Sequence, residues 1–265
     1  MIARETFEGY RRALDTNASM AEAELSALWG DHLAGLGLSE LRSALDELMP
    51  ALAAKYGDRA AAVAAEFYMR VRAEQGVTRP YDAVPLTEVE AGHVVAASRS
   101  ALSASTGRDA LASSLAGQLV RHVNQAADDT IVGNARRDPA HPRWALVPHA
   151  GACGFCLMIA SRGFDYTSSG RVARHNRCRC ATVADFDRSN PALEGYDEDV
   201  ARDLYSRAAA EVERTAWGEW KALTDDERAA YRRKGRGDFD VFKRNRISAA
   251  MERMRPGGKP GIQGD

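Results

Sequence analysis

The chain contains no run of about 18 apolar residues, the length a helix needs to cross the bilayer core, so no membrane span is expected. Its opening segment, MIARETFEGYRRALD, has no apolar stretch of the kind a secretory signal carries. The chain is therefore expected to be made and kept in a reducing cytoplasm. Cysteine is scarce, with four in 265 residues, and all four lie between Cys153 and Cys180. Folding staples in a secreted protein would be spread along the chain; clustered thiols in a reducing compartment point to a metal instead. Aromatic residues make up only 7% and the formal net charge is -1, so the chain as a whole has no electrostatic pull toward nucleic acid or membrane, and charge must be read locally.

Alanine, arginine, glutamate and leucine are abundant, a balance that favours helices. A first helix is read to about Gly30, from the spacing of Phe7, Tyr10, Leu14, Leu25, Leu28 and Trp29. Ser39 is the expected cap of a second helix carrying Leu41, Leu45, Leu48 and Leu52, which Pro50 is expected to kink or divide. Another helix is read over Asp58 to Glu74, ending near Gly76. After the breakers Pro80 and Pro85, Thr87 and Glu90 fit a capping box that opens one long helix to about Arg137. Residues Ala145 to Pro191 are rich in Gly, Cys and Arg and read as turns and short strands, the apolar run LMIA included. Helical patterning returns after Asp197, a second capping box stands at Thr224 and Glu227, and a last helix is read from Phe239 to Met254. The expected organisation is a helical region over 1–138, a Cys/His zinc-binding module over 139–191, C-terminal helices over 192–255 and a flexible tail over 256–265. The fold class is mostly α, a long helical N-terminal region with a small zinc-stapled turn/strand module and C-terminal helices.

Chemistry concentrates in the module. The string CGFC is followed by an 18-residue insert and then HNRCRC. A C-x-x-C turn aims two sulfurs at one point, and zinc takes four tetrahedral ligands, chiefly thiolate and imidazole. Five groups compete for the four places: Cys153, Cys156, His175, Cys178 and Cys180. Four thiolates, or three thiolates and the imidazole, would both close the site, with the remaining group beside it. The surplus of ligands favours a closed structural site over a catalytic one, which needs an open position. A redox reading of C-x-x-C leaves the second cysteine pair unexplained. A cysteine-nucleophile reading, with His149 or His175 as base, needs a mutual geometry that spacing does not supply.

The run VPHAGACGFCLMIASRGFDY, with HNRCRC after it, resembles the cysteine module of the phage Mu F-like minor head proteins, particularly those of tailed phages of actinobacteria. The likeness is specific over about residues 144–186 and architectural elsewhere. It implies a minor capsid protein acting in head morphogenesis, a virion component of the head interior associated with the portal or major capsid protein, present in the host cytoplasm during assembly. It also implies that the five Cys/His groups are the metal set and that Ser161, Arg162 and Gly163 match a family string, Gly163 as a turn residue and Arg162 as an ion-pair former. No enzymatic activity is general to the family. Because some related genes carry a capsid-protease label, a capsid maturation protease is one alternative function.

The other alternative is a packaged DNA-binding protein. Arg171, Arg174, Arg177 and Arg179 crowd the module's second half and are candidate contacts to double-stranded DNA through its phosphates; the competing reading is a solvated face or pairing with Asp185 and Asp187. The basic stretch from Arg228 to Arg255 is interrupted by acids in the pattern that helix dipoles favour. Trp217 and Trp220 fall on one helix face, read first as core packing and second as an interface anchor.

Overall fold

The computed structural model describes residues 1–86, 90–165, 172, 174–189, 191–232 and 237–255. Thr87, Arg171 and the tail beyond Arg255 lie outside the described residues. Among those described are eight α-helices and a two-stranded sheet: α1 (Arg4–Leu28), α2 (Leu38–Glu74), α3 (Ala91–Ala104), α4 (Arg108–Arg137), β1 (Arg143–Val147), α5 (Gly154–Ala160), β2 (Ala181–Asp185), α6 (Glu198–Ala222), α7 (Asp225–Ala229) and α8 (Asp238–Met254). A π-helical turn, Trp29–Leu33, extends α1. No described helix is long and apolar enough to cross a membrane. The chain forms two compact units, neither continuous in sequence: Met1–Trp144 with Thr167–Glu194, and Ala145–Tyr166 with Gly195–Asp265.

In the first unit α2 and α4 lie along one another, with α1 and α3 packed on both and β2 against α4. Helix α1 buries Phe7, Tyr10, Leu14, Ala18, Ala21 and Leu25, a continuous stripe at three- and four-residue intervals. Tyr10 stacks on Phe67 of α2 with ring centroids 4.0 Å apart.

Three expected boundaries fall differently in the structure. Pro50 does not divide α2, which runs unbroken for 37 residues, and the N-cap is Gly37 rather than Ser39, with Glu40 accepting from the Gly37 amide at 3.1 Å. A proline inside a helix costs about 3 kcal/mol. Burial of Leu41, Leu45, Met49 and Leu52 before and after it, at roughly 1.5–3 kcal/mol for each large side chain, outweighs that penalty. Conversely, the single long helix expected up to Arg137 is broken: α3 ends at Ala104 and α4 begins at Arg108, with Gly107 extended as its N-cap. Glycine's low helix propensity supplies the reason.

Asp138 closes α4 and is fully buried. Arg72 grips its carboxylate with two N–H groups, at 2.7 and 3.2 Å, and the Tyr68 hydroxyl donates a third hydrogen bond at 3.0 Å. This bidentate pair ties α2 to the end of α4 and satisfies a charge that would otherwise be stranded away from water.

In the second unit α8 packs against α5 and α6, and α5 also touches α6. Asp197 caps α6 by accepting from the Asp199 amide at 2.9 Å. Thr224 and Glu227 make the expected capping box on α7. Trp220 sits among Tyr231, Phe239 and Phe242, whereas Trp217 is 56% exposed and touches Phe239 edge-on. The run LMIA, expected in a strand or turn, belongs to helix α5; seven residues are enough because α8 and α6 cover it.

Candidate metal centre

The C-x-x-C segment lies in the second unit, where the chain passes from extended to helical backbone. Cys153 is the extended N-cap of α5, and its carbonyl accepts from the Leu157 amide at 3.0 Å. Cys156 falls in the first turn and is buried. That geometry brings the two thiol sulfurs within 4.8 Å of each other. Helix α8 holds the turn from outside: Glu252 accepts from the Gly154 amide at 2.6 Å, and Arg255 donates to the Ala152 carbonyl at 2.6 Å. A Cβ on Gly154 would stand 2.0 Å from the Ser248 carbonyl oxygen, so only glycine allows this approach. Nearby Gly163 adopts φ +57°, the left-handed conformation its reading as a turn residue requires.

The H-x-x-C-x-C segment lies in the first unit. His175 and Cys178 are joined by a turn in which the Cys178 amide donates to the His175 carbonyl at 3.3 Å and Arg177 takes φ +60°. The His175 Nδ1 lies 2.7 Å from the Asn176 carbonyl oxygen. A carbonyl only accepts, so the ring proton belongs on Nδ1 and the ring's lone pair on Nε2, the nitrogen that a cation would engage. Cys178 and Cys180 are both buried, with sulfurs within 4.8 Å of each other. The Asn124 side chain, on α4, donates to the Cys178 carbonyl at 2.9 Å.

Each unit thus presents a preformed thiol pair. Two sulfurs on one tetrahedral zinc, each at about 2.3 Å, are about 3.8 Å apart, so either pair needs only a small adjustment to share an ion. Thiol pairs spaced in this way are compatible with metal binding.

The described arginines of the cluster, Arg174, Arg177 and Arg179, are engaged with acids. Arg174 is fully buried and forms a two-pronged ion pair with Asp128, Nη2 to Oδ1 at 2.7 Å and Nε to Oδ2, while the Thr182 hydroxyl donates to the same carboxylate at 2.6 Å. Burial works against charge on Arg174, but the adjacent Asp128 carboxylate outweighs it and holds the guanidinium above its ordinary range. Arg177 pairs with Glu22 at 2.9 Å, and Arg179 with Asp15 and Glu22 at 3.2 Å. Arg174 therefore offers no exposed charge to a phosphate. The expected pairing with Asp185 and Asp187 is replaced by these acids: Asp185 pairs with Arg143 at 2.6 Å and Asp187 with the chain's N-terminal amine. Sequence reading passed over Asn124 and Asp128. The available signal was their spacing of four, which sets two polar residues into the buried side of α4.

A profile of the family described as VG15 protein matches residues 1–208. No curated protein and no solved structure matches the chain. The matched span includes every Cys/His donor, whereas α7 and α8 lie beyond it.

Proposed function

The chain belongs to the VG15 protein family, a phage-related family, and from that premise we propose that it is a minor head protein: a non-enzymatic virion component, stapled by one structural zinc ion, that assists head assembly and genome packaging or delivery. In this reading Cys153, Cys156, His175, Cys178 and Cys180 are the metal set, and the protein resides in the head interior against the portal or major capsid protein. When bound, zinc supplies cross-linking and no chemistry. The chain's residues supply the rest: deprotonated thiols, the Nε2 lone pair of His175, and a scaffold holding each pair of sulfurs.

The observation that carries the proposal is the preformation of both thiol pairs, each braced by a helix distant in sequence, Gly154 by Glu252 of α8 and the Cys178 carbonyl by Asn124 of α4. Such bracing suits a site built for a fixed ion. The likeness of the CGFC and HNRCRC strings to minor head proteins supports the virion role, and the family match reaches as far as a phage-related protein. The ion pairs of Arg174, Arg177 and Arg179 favour a structural role for this arginine cluster over a phosphate-reading one.

Two measurements test the proposal. Elemental mass spectrometry of the purified protein is expected to find about one zinc per chain, the number a single closed site requires, reduced in Cys153→Ser and Cys178→Ser. A folded wild type without metal removes the zinc. Immunodetection in purified phage particles is expected to find the protein inside the head; its absence from particles removes the virion role.

A further inference from the structure

The Cys178 end of the donor set has a partner with no assigned role. The guanidinium of Arg174 uses Nε and Nη2 on Asp128 and turns Nη1 the other way, 3.2 Å from the Cys178 carbonyl oxygen and 3.5 Å from the Cys178 sulfur. Asn124 donates to the same carbonyl at 2.9 Å, so two donors from the α4 side fix the backbone of Cys178. The freedom left to that residue is rotation of its side chain, and Nη1 stands beside the sulfur in its present orientation. Asp128 is itself fixed by Thr182 of β2. α4, β2 and the cysteine segment therefore converge on one buried guanidinium.

We propose that Arg174, anchored by Asp128, is the positioning residue of the metal site, donating an N–H···S hydrogen bond to the Cys178 thiolate and holding it in the direction the ion needs. This rests on the metal reading above. Metal uptake replaces the thiol proton, which passes to solvent, by a metal–sulfur bond, and no oxidation state changes. A buried thiolate retains acceptor capacity after it binds an ion, and in a water-poor setting a donor for it has to come from the protein. The planar arginine fork can meet a carboxylate on one edge and the sulfur on the other; lysine, a single compact donor, cannot do both. An ion pair that served only to hold the fold would need no donor aimed at the sulfur.

The test uses the full-length reduced protein titrated with Co(II), whose thiolate-to-metal charge-transfer band reports on the sulfur directly, together with zinc affinity from competition against a chelator. Arg174→Lys is expected to bind roughly 10–100-fold more weakly, the usual effect of losing a partner of a metal ligand, and to shift the band to lower energy because the thiolate has lost a hydrogen bond. Wild-type affinity and an unmoved band in folded Arg174→Lys overturn the proposal, even if that variant melts earlier. Should Arg174→Lys fail to fold, Thr182→Val loosens Asp128 more gently; a smaller shift in the same direction supports the proposal, and a folded Thr182→Val identical to wild type in band and affinity overturns it. A wild type that takes up neither Co(II) nor zinc brings down the metal reading and this inference together, whereas metal binding indifferent to residue 174 removes this inference alone.

Discussion

Gly154 gives its amide hydrogen to the Glu252 carboxylate across 2.6 Å, and the space where its side chain would begin is filled by the Ser248 carbonyl. The cysteine turn and α8, nearly 100 residues apart in sequence, meet with no room for a side chain at position 154. Gly154→Ala is expected to push α5 off α8 and destabilise the second unit by about 1–3 kcal/mol, the usual cost of overpacking. Denaturant titration of the helical circular dichroism would measure it, and an unchanged midpoint would show that the approach is looser than described.

Removal of the Asp138 carboxylate should be costlier. Asp138→Ala leaves the Arg72 guanidinium buried without its charge partner and the Tyr68 hydroxyl without its acceptor. The expected loss is about 3–5 kcal/mol, read in the same titration. Asp46→Ala, which breaks an exposed pair with Arg99, is expected to leave the midpoint almost where it was. Equal effects for the two substitutions would contradict the ranking by burial.

Alkaline pH provides a third test. Burial pushes the Tyr68 phenol well above its ordinary range, and the Asp138 carboxylate adds to this; burial does the same to Tyr10, with Asp128 adding to it. Both phenols are therefore more strongly protonated in the folded chain than in the unfolded one, whose value is near 10.0. Their contribution to stability is fully present below that pH and is lost as pH rises above it toward the higher folded values. Phenolate absorbance should show Tyr10 and Tyr68 silent until the chain unfolds, and Tyr68→Phe should flatten the fall of stability above pH 10. Free titration of all eight tyrosines in folded protein would refute this.

Pro50 stands within α2, where no amide hydrogen is available for the preceding turn. Pro50→Ala is expected to stabilise the first unit by about 1–3 kcal/mol, since alanine restores the missing donor and the better propensity. A lowered midpoint would mean that a bend at Pro50 is required by the packing of α2 on its neighbours.

Periodicity alone located α1, α6 and α8, because burying one stripe of a helix leaves a spacing that can be read directly. It also located the capping box at Thr224 and Glu227, whose two hydrogen bonds join residues three apart. The cysteine segments were legible as candidates for a similar reason: thiols and an imidazole at such spacing are compatible with a metal site. Competition between local and distant forces was not legible. Pro50 and Gly107 both oppose helix formation, yet the helix is interrupted only at Gly107, which caps the start of α4, because apolar residues on both sides of Pro50 are buried by other helices. The partners of the cysteine segments were equally hidden. Asp128 and Arg174 are 46 residues apart and Gly154 and Glu252 98 apart, and a hydrogen bond between distant residues leaves no pattern along the chain. Donor chemistry is a property of residue types and was set by the sequence itself; which donors are buried, paired and braced depends on which helices lie beside them, and only the tertiary structure decided that.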